Sequence, residues 1–122
     1  MTEFLLLEDA LFVIGRFGFH VRDGGLLASA LARPSASLFD ADAYDSLDRK
    51  AAALLESLVR NHALVDGNKR ASWTLMVLFL WINGYKHDFT VDQGYDLVVG
   101  VAEGQIDLDE AEHRISWHRV SR

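Results

Sequence analysis

From Trp73 to Ile82 the chain has only one polar residue, Thr74. That run limits the possible folds more than any other stretch. Wound as a helix it has no polar face to turn to water after Thr74, so neighbouring elements must enclose it. A membrane is not the enclosure, because a spanning helix needs roughly 20 apolar residues and this run supplies about half of them.

The remaining periodicity supplies the enclosing elements. A helix begins near Glu8, with acidic residues suited to the positive end of the helix dipole. Gly18 and Gly24-Gly25 mark breaks, with His20 to Asp23 as a loop. Leu26 to Leu31 forms a short apolar helix that ends at Arg33-Pro34, because the residue before a proline is pushed out of the helical region. Pro34 to Tyr44 reads as an irregular segment, either a connector or a flap over a site. Asp45 to His62 places Leu47, Ala51, Leu54, Leu55, Leu58 and Val59 on one face and leaves Asp48, Arg49, Lys50, Glu56 and Arg60 for the wet side. The apolar helix itself opens near Gly67, with Asp66 as its N-cap, and stops at Asn83-Gly84. Tyr85 to Thr90 is short and reads as extended or irregular. Val91 to Glu103 and Ile106 to Trp117 are two further amphipathic helices. The expectation is an all-α single domain over residues 1–122, with about six helices around a central apolar helix.

Composition narrows the function. A length of 122 residues suits one domain with a real core. The net charge of −6 argues against broad binding to nucleic acid, which needs a basic surface, although it leaves room for a local basic pocket. The absence of cysteine excludes disulfides and thiolate metal sites and fits a reducing cytoplasm. The start, Met1-Thr2-Glu3-Phe4, lacks the cationic region of a signal peptide, and the expected location is cytoplasmic.

The chemistry concentrates in His62-Ala63-Leu64-Val65-Asp66-Gly67-Asn68-Lys69-Arg70. Here a base, a carboxylate, a turn glycine, an amide and two cations lie between the end of one helix and the start of the next. Cations in a first helical turn oppose the dipole by a few tenths of a kcal/mol unless an anion neutralises them. Free N–H groups at that end help to hold one. A phosphate chain fits there, with Asn68 and the amides cradling it and Lys69 and Arg70 supplying charge. Asp66 suits Mg²⁺, which usually takes one or two carboxylates plus substrate phosphates. His62 suits the abstraction of a proton from an attacking hydroxyl. A plainer account makes His62 and Asp66 helix-end residues, Gly67 a turn and Lys69 and Arg70 a solvated pair. It explains each residue singly but not two cations at a cationic helix end. Two ligands without a third leave a transition-metal site poorly supported.

The pattern His62-x-x-x-Asp66-Gly67-Asn68-Lys69-Arg70 resembles the signature of the Fic/Doc family, in the variant of the Doc (death-on-curing) toxins. Arg22-Asp23-Gly24-Gly25-Leu26-Leu27, Ala30 to Pro34, Lys50 to Leu54, Leu78 to Leu80 and Asn83-Gly84 are also similar to it, so the likeness runs from about residue 5 to 115. The resemblance implies that His62 is the catalytic base toward a target hydroxyl and that Asp66 holds Mg²⁺. Gly67 and Asn68 then build the anion-binding turn, Lys69 and Arg70 contact the phosphates of ATP, and Arg60 aids ATP or target binding or is a solvated helix residue. Two departures stand out. Leu64 replaces a phenylalanine usual in the family. Lys69 and Trp73 stand where AMP-transferases of the family carry glycine and a second arginine. By that analogy the expected reaction is transfer of the γ-phosphoryl of ATP to a hydroxyl of a translation protein, elongation factor Tu foremost, in a toxin restrained by a Phd-like antitoxin segment. An AMP-transferase with the same site and a non-enzymatic helical binding module are the alternatives.

Overall fold

The computed structural model describes all 122 residues. Six helices form the body: α1 (Leu7–Arg16), α2 (Gly24–Ala32), α3 (Leu47–Asn61), α4 (Asn68–Ile82), α5 (Val91–Ala102) and α6 (Leu108–His118). A 3-10 turn, Arg33–Ser35, continues α2 through Pro34, which is buried. Two small antiparallel ladders complete the fold: β1 (Ser37–Leu38) with β2 (Ala41–Asp42), and β3 (Tyr85–His87) with β4 (Arg119–Ser121). The mainly helical expectation holds, and 26 buried residues form one hydrophobic cluster.

The helix starts follow local chemistry. Ser46 accepts a hydrogen bond from the Arg49 amide at the start of α3, Thr90 from Gln93 at α5, and Asp107 from Glu110 at α6. At α4 the expectation fails. The N-cap is Gly67, in the left-handed conformation, and Asp66 lies one residue outside, its Oδ1 accepting the Gly67 N–H at 2.8 Å.

The apolar helix α4 packs against α1, α3, α5 and β3. Leu75, Met76, Phe79 and Leu80 are fully enclosed, but Trp81 is half exposed and Trp73 only partly buried. It therefore shares the centre with α3, which packs against α2, α4, α5 and α6 and is buried almost without a break from Lys50 to Val59. The small residues Ala51, Ala52 and Ala53, all without exposure, let neighbours approach α3 closely.

Two residues assigned to the wet side of α3 are in fact buried. Lys50 donates to the Tyr44 carbonyl and to Asp42 Oδ2 at 3.2 Å, which ties the β1–β2 hairpin to the helix. Asp48 Oδ1 faces Arg119 Nε at 2.6 Å, an ion pair whose N–H is not aimed along a hydrogen bond. Both partners come from segments whose placement no helical period reveals. β4 is itself such a segment, since it continues directly from α6 and pairs with β3 in the register Tyr85↔Ser121, Lys86↔Val120 and His87↔Arg119.

Candidate functional site

The loop from His62 to Gly67 joins two long helices, and the α1–α2 connection clamps it. His62 ends α3 in the left-handed region, at φ 51° and ψ 47°. Its carbonyl accepts from Arg22 through Nε at 3.0 Å and also through Nη2. The amides of Arg22 and Asp23 donate to the Ala63 carbonyl at 2.7 and 3.0 Å, and Val65 donates to His20 at 2.9 Å. From the α4 side the Asn68 carboxamide grips Leu64 twice, accepting its N–H at 3.0 Å and donating to its carbonyl at 3.1 Å. Leu64 and Ala63 are buried, while His62, Val65 and Asp66 face out. The loop is thus anchored by its apolar residues and presents its imidazole and carboxylate to solvent.

Gly67 is required twice. Its φ of +78° suits glycine, and a Cβ there would stand 2.4 Å from the Phe19 ring. The turn points the first residues of α4 outward, so the amides of Asn68, Lys69 and Arg70 have no intrahelical acceptor. Lys69 and Arg70 are exposed and take part in none of the ion pairs. Two cations at the positive end of a helix, without a carboxylate partner, are chemically suited to an anion.

Both cations also line the mouth of a groove of about 480 Å³ between α4 and α5. Trp73, His87, Phe89 and Tyr95 supply its aromatic wall, and Val98 and Val99 its apolar floor. Trp73 lies three and four residues beyond Arg70 and Lys69, so cations and indole share one helix face. The indole is held edge-on to His87 and Phe89, at centroid distances of 5.1 and 5.4 Å. Gly94 of α5 leaves room for it, since a Cβ there would lie 3.0 Å from the ring.

The profile of the Fic/DOC family matches residues 3–80. The chain is also 52% identical, over 115 residues, to a protein named Toxin Doc from Mycolicibacterium smegmatis (strain ATCC 700084 / mc(2)155), covering 89% of this chain and 88% of that one. The chain belongs to the Fic/DOC family.

Within this Fic/DOC domain Asp66, Gly67, Asn68, Lys69 and Arg70 lie at the start of α4, and His62 stands at the end of α3 across the connecting loop. The structure does not bring Arg60 to them. Arg60 Nε donates to the Val101 carbonyl near the end of α5 at 3.0 Å, and Nη1 lies 3.8 Å from Glu56, so its guanidinium is engaged as a strut between α3 and α5. Asn68 braces the loop with its side chain, and its backbone N–H faces no intrahelical acceptor. The donor set at Asp66 suits a hard ion that keeps water and phosphate ligands: Oδ2 is available beside the engaged Oδ1, and no cluster of three acidic or histidine ligands exists to cage a metal. The segment from Pro34 to Tyr44 forms the β1–β2 hairpin, its tip at Phe39 and Asp40 with φ of 52° and 64° and Phe39 93% exposed. It is anchored by Lys50, which donates to Asp42 and the Tyr44 carbonyl, and by Arg33, which donates to the Tyr44 hydroxyl at 2.7 Å.

Sequence reasoning missed Arg22 and the groove. Arg22 stands in a loop whose partner is a backbone carbonyl forty residues away, and His87, Phe89 and Tyr95 join Trp73 only because β3 and α5 fold back beside α4. A cation-rich helix start followed by Trp73 on the same face was the available signal.

Proposed function

We propose that this protein is the toxin of a toxin–antitoxin pair and transfers the γ-phosphoryl group of ATP to a hydroxyl of a translation protein, with elongation factor Tu as the expected target. The observation that carries the reading is the pair Lys69 and Arg70, unpaired by carboxylates at the free amides of α4, opening onto an aromatic groove. The groove suits a base and ribose and its mouth suits the phosphates, so the two ends of a nucleoside triphosphate find matching chemistry. Likeness to a protein named Toxin Doc supports the toxin role and, with it, an antitoxin partner, for which a Phd-like segment is the expected form.

His62 takes the proton of the target hydroxyl, whose oxygen attacks the γ-phosphorus while the bond to the β,γ-bridging oxygen breaks and ADP leaves. Lys69, Arg70 and the α4 amides neutralise the charge on the transferred group and hold it in place. Arg22 and Asn68 act indirectly by fixing the backbone from which His62 and Asp66 project. Mg²⁺ held by Asp66 would neutralise phosphate charge. Action on translation places the protein in the cytoplasm.

Transfer of AMP by the same residues is the second reading. Trp73 favours phosphoryl transfer, because it lines the groove at the position where AMP-transferases of the family carry an arginine, and an indole supplies no positive charge to a phosphate. Purified protein, incubated with elongation factor Tu and ATP labelled at either the α- or the γ-phosphate, separates them. Label from the γ-position alone is expected. Label from the α-position would assign AMP transfer, and no label from either, on any protein of a translation extract, would remove the enzymatic reading.

A further inference from the structure

His87 is a partly buried titratable group for which the reaction above has no use, and one of its ring nitrogens has a defined partner. It closes β3, lines the groove between α4 and α5, and lies edge-on to Trp73. Its Nδ1 accepts the backbone N–H of Phe89 at 3.1 Å. A ring nitrogen that accepts an N–H carries no proton, so a neutral His87 keeps its proton on Nε2. Burial holds the imidazole below its ordinary value of 6.5, and this outweighs the adjacent Asp88, which acts in the opposite sense, while nearby His118 adds to the lowering. The other charged groups on the elements around it are Lys69 and Arg70, which line the same groove, and Arg119, its register partner on β4, which pairs with Asp48; Asp88 itself meets His118 Nδ1 at 2.7 Å.

The lining of the groove therefore includes one imidazole whose free donor is Nε2–H, beside the aromatic rings of Trp73 and Phe89. Apolar walls grip any flat base alike, whereas one fixed N–H distinguishes a base that offers an acceptor from one that does not. The cations and free amides at the mouth select a polyphosphate and so commit the occupant to a nucleoside triphosphate rather than a peptide. We propose that His87 is the group in this groove that reads the base, donating from Nε2 to a ring-nitrogen acceptor of the purine. The proposal rests on the ATP reading of the same site.

The test uses the full chain, with ATP and inorganic tripolyphosphate as probes. Long-range proton–nitrogen spectra of the histidines are expected to show the Nε2–H tautomer for His87 in the free protein, and its Nε2 signal should move with ATP but not with tripolyphosphate. Calorimetry is expected to show His87→Asn, which keeps an acceptor near the Nδ1 position for Phe89, binding ATP about tenfold more weakly with tripolyphosphate affinity unchanged, the loss of roughly one hydrogen bond. His87→Gln, whose amide nitrogen reaches the Nε2 position, should recover part of the difference. An Nδ1–H tautomer overturns the proposal, as does a folded His87→Asn that binds ATP as the wild type does while wild-type binding stands. Wild-type protein that binds tripolyphosphate and ATP equally leaves the phosphate site intact and also overturns it. Absence of any binding to wild type removes the ATP reading and this proposal together.

Discussion

His62 occupies a left-handed conformation that disfavours a side chain by roughly 1–2 kcal/mol, and glycine is free of that penalty. The Arg22 clamp on its carbonyl keeps it there. His62→Gly is therefore expected to match or exceed the wild type in stability, by up to about 1 kcal/mol in urea denaturation, while abolishing toxicity. His62→Ala should also lose toxicity but without the gain. A stable His62→Gly that still arrests growth would remove the imidazole from the chemistry. Gly67 is the opposite case, because its φ and the Phe19 ring both exclude a side chain. Gly67→Ala is expected to destabilise by about 2–3 kcal/mol. Adding Phe19→Ala should relieve the clash without relieving the backbone, and thermal melts of the two variants read the difference.

At the scale of elements, β4 ties the C-terminal end of the chain to the start of α3. Arg119 pairs with Asp48, and its guanidinium lies 4.3 Å over the Tyr85 ring. Removing one member leaves a buried carboxylate without a partner, a loss larger than the pair's net worth. Arg119→Ala is expected to destabilise by about 2 kcal/mol, and Arg119→Ala combined with Asp48→Ala by less than the sum of the two single changes. Additive losses in a double-mutant cycle would show that the two side chains do not interact. The β1–β2 hairpin is a different kind of element. Lys50 fixes its base, and its tip carries Phe39 into solvent. The reading of Pro34 to Tyr44 as irregular missed it, because a two-residue ladder has too short a period to register and its turn residues, Phe39 and Asp40, are not glycine.

Across the whole molecule, the partly buried His87 couples stability to pH. Its pKa is lower in the folded protein than in the unfolded chain, so the unfolded chain binds its proton first as the pH falls. This contribution is full above about 6.5, declines as the pH drops below that value and levels off beneath the depressed folded one. Denaturation midpoints across that window should fall on acidification in the wild type and fall less in His87→Asn. Equal slopes would show that His87 does not titrate differently in the folded state. The chain contains no helix long and apolar enough to cross a membrane, in keeping with the short run from Trp73 to Ile82.

Periodicity is local, and it made the six helices legible, since the apolar spacing of α3 and α5 names their inner faces; the cap named from sequence at α4, Asp66, lies one residue outside. The cations at the start of α4 were legible for the same reason, since helix polarity needs no tertiary information. Folding alone decided the rest. Lys50 and Asp48 became buried because a hairpin and a C-terminal strand arrived to pair with them, and Arg60 turned to α5 because Val101 offered a carbonyl there. The groove was assembled from α4, β3 and α5, whose proximity follows from how helices pack and not from any spacing along the chain. By itself, then, the sequence determined the helices and the charged turn between His62 and Arg70. Only the tertiary structure decided what that turn opens onto, because a groove is made by residues distant in the chain.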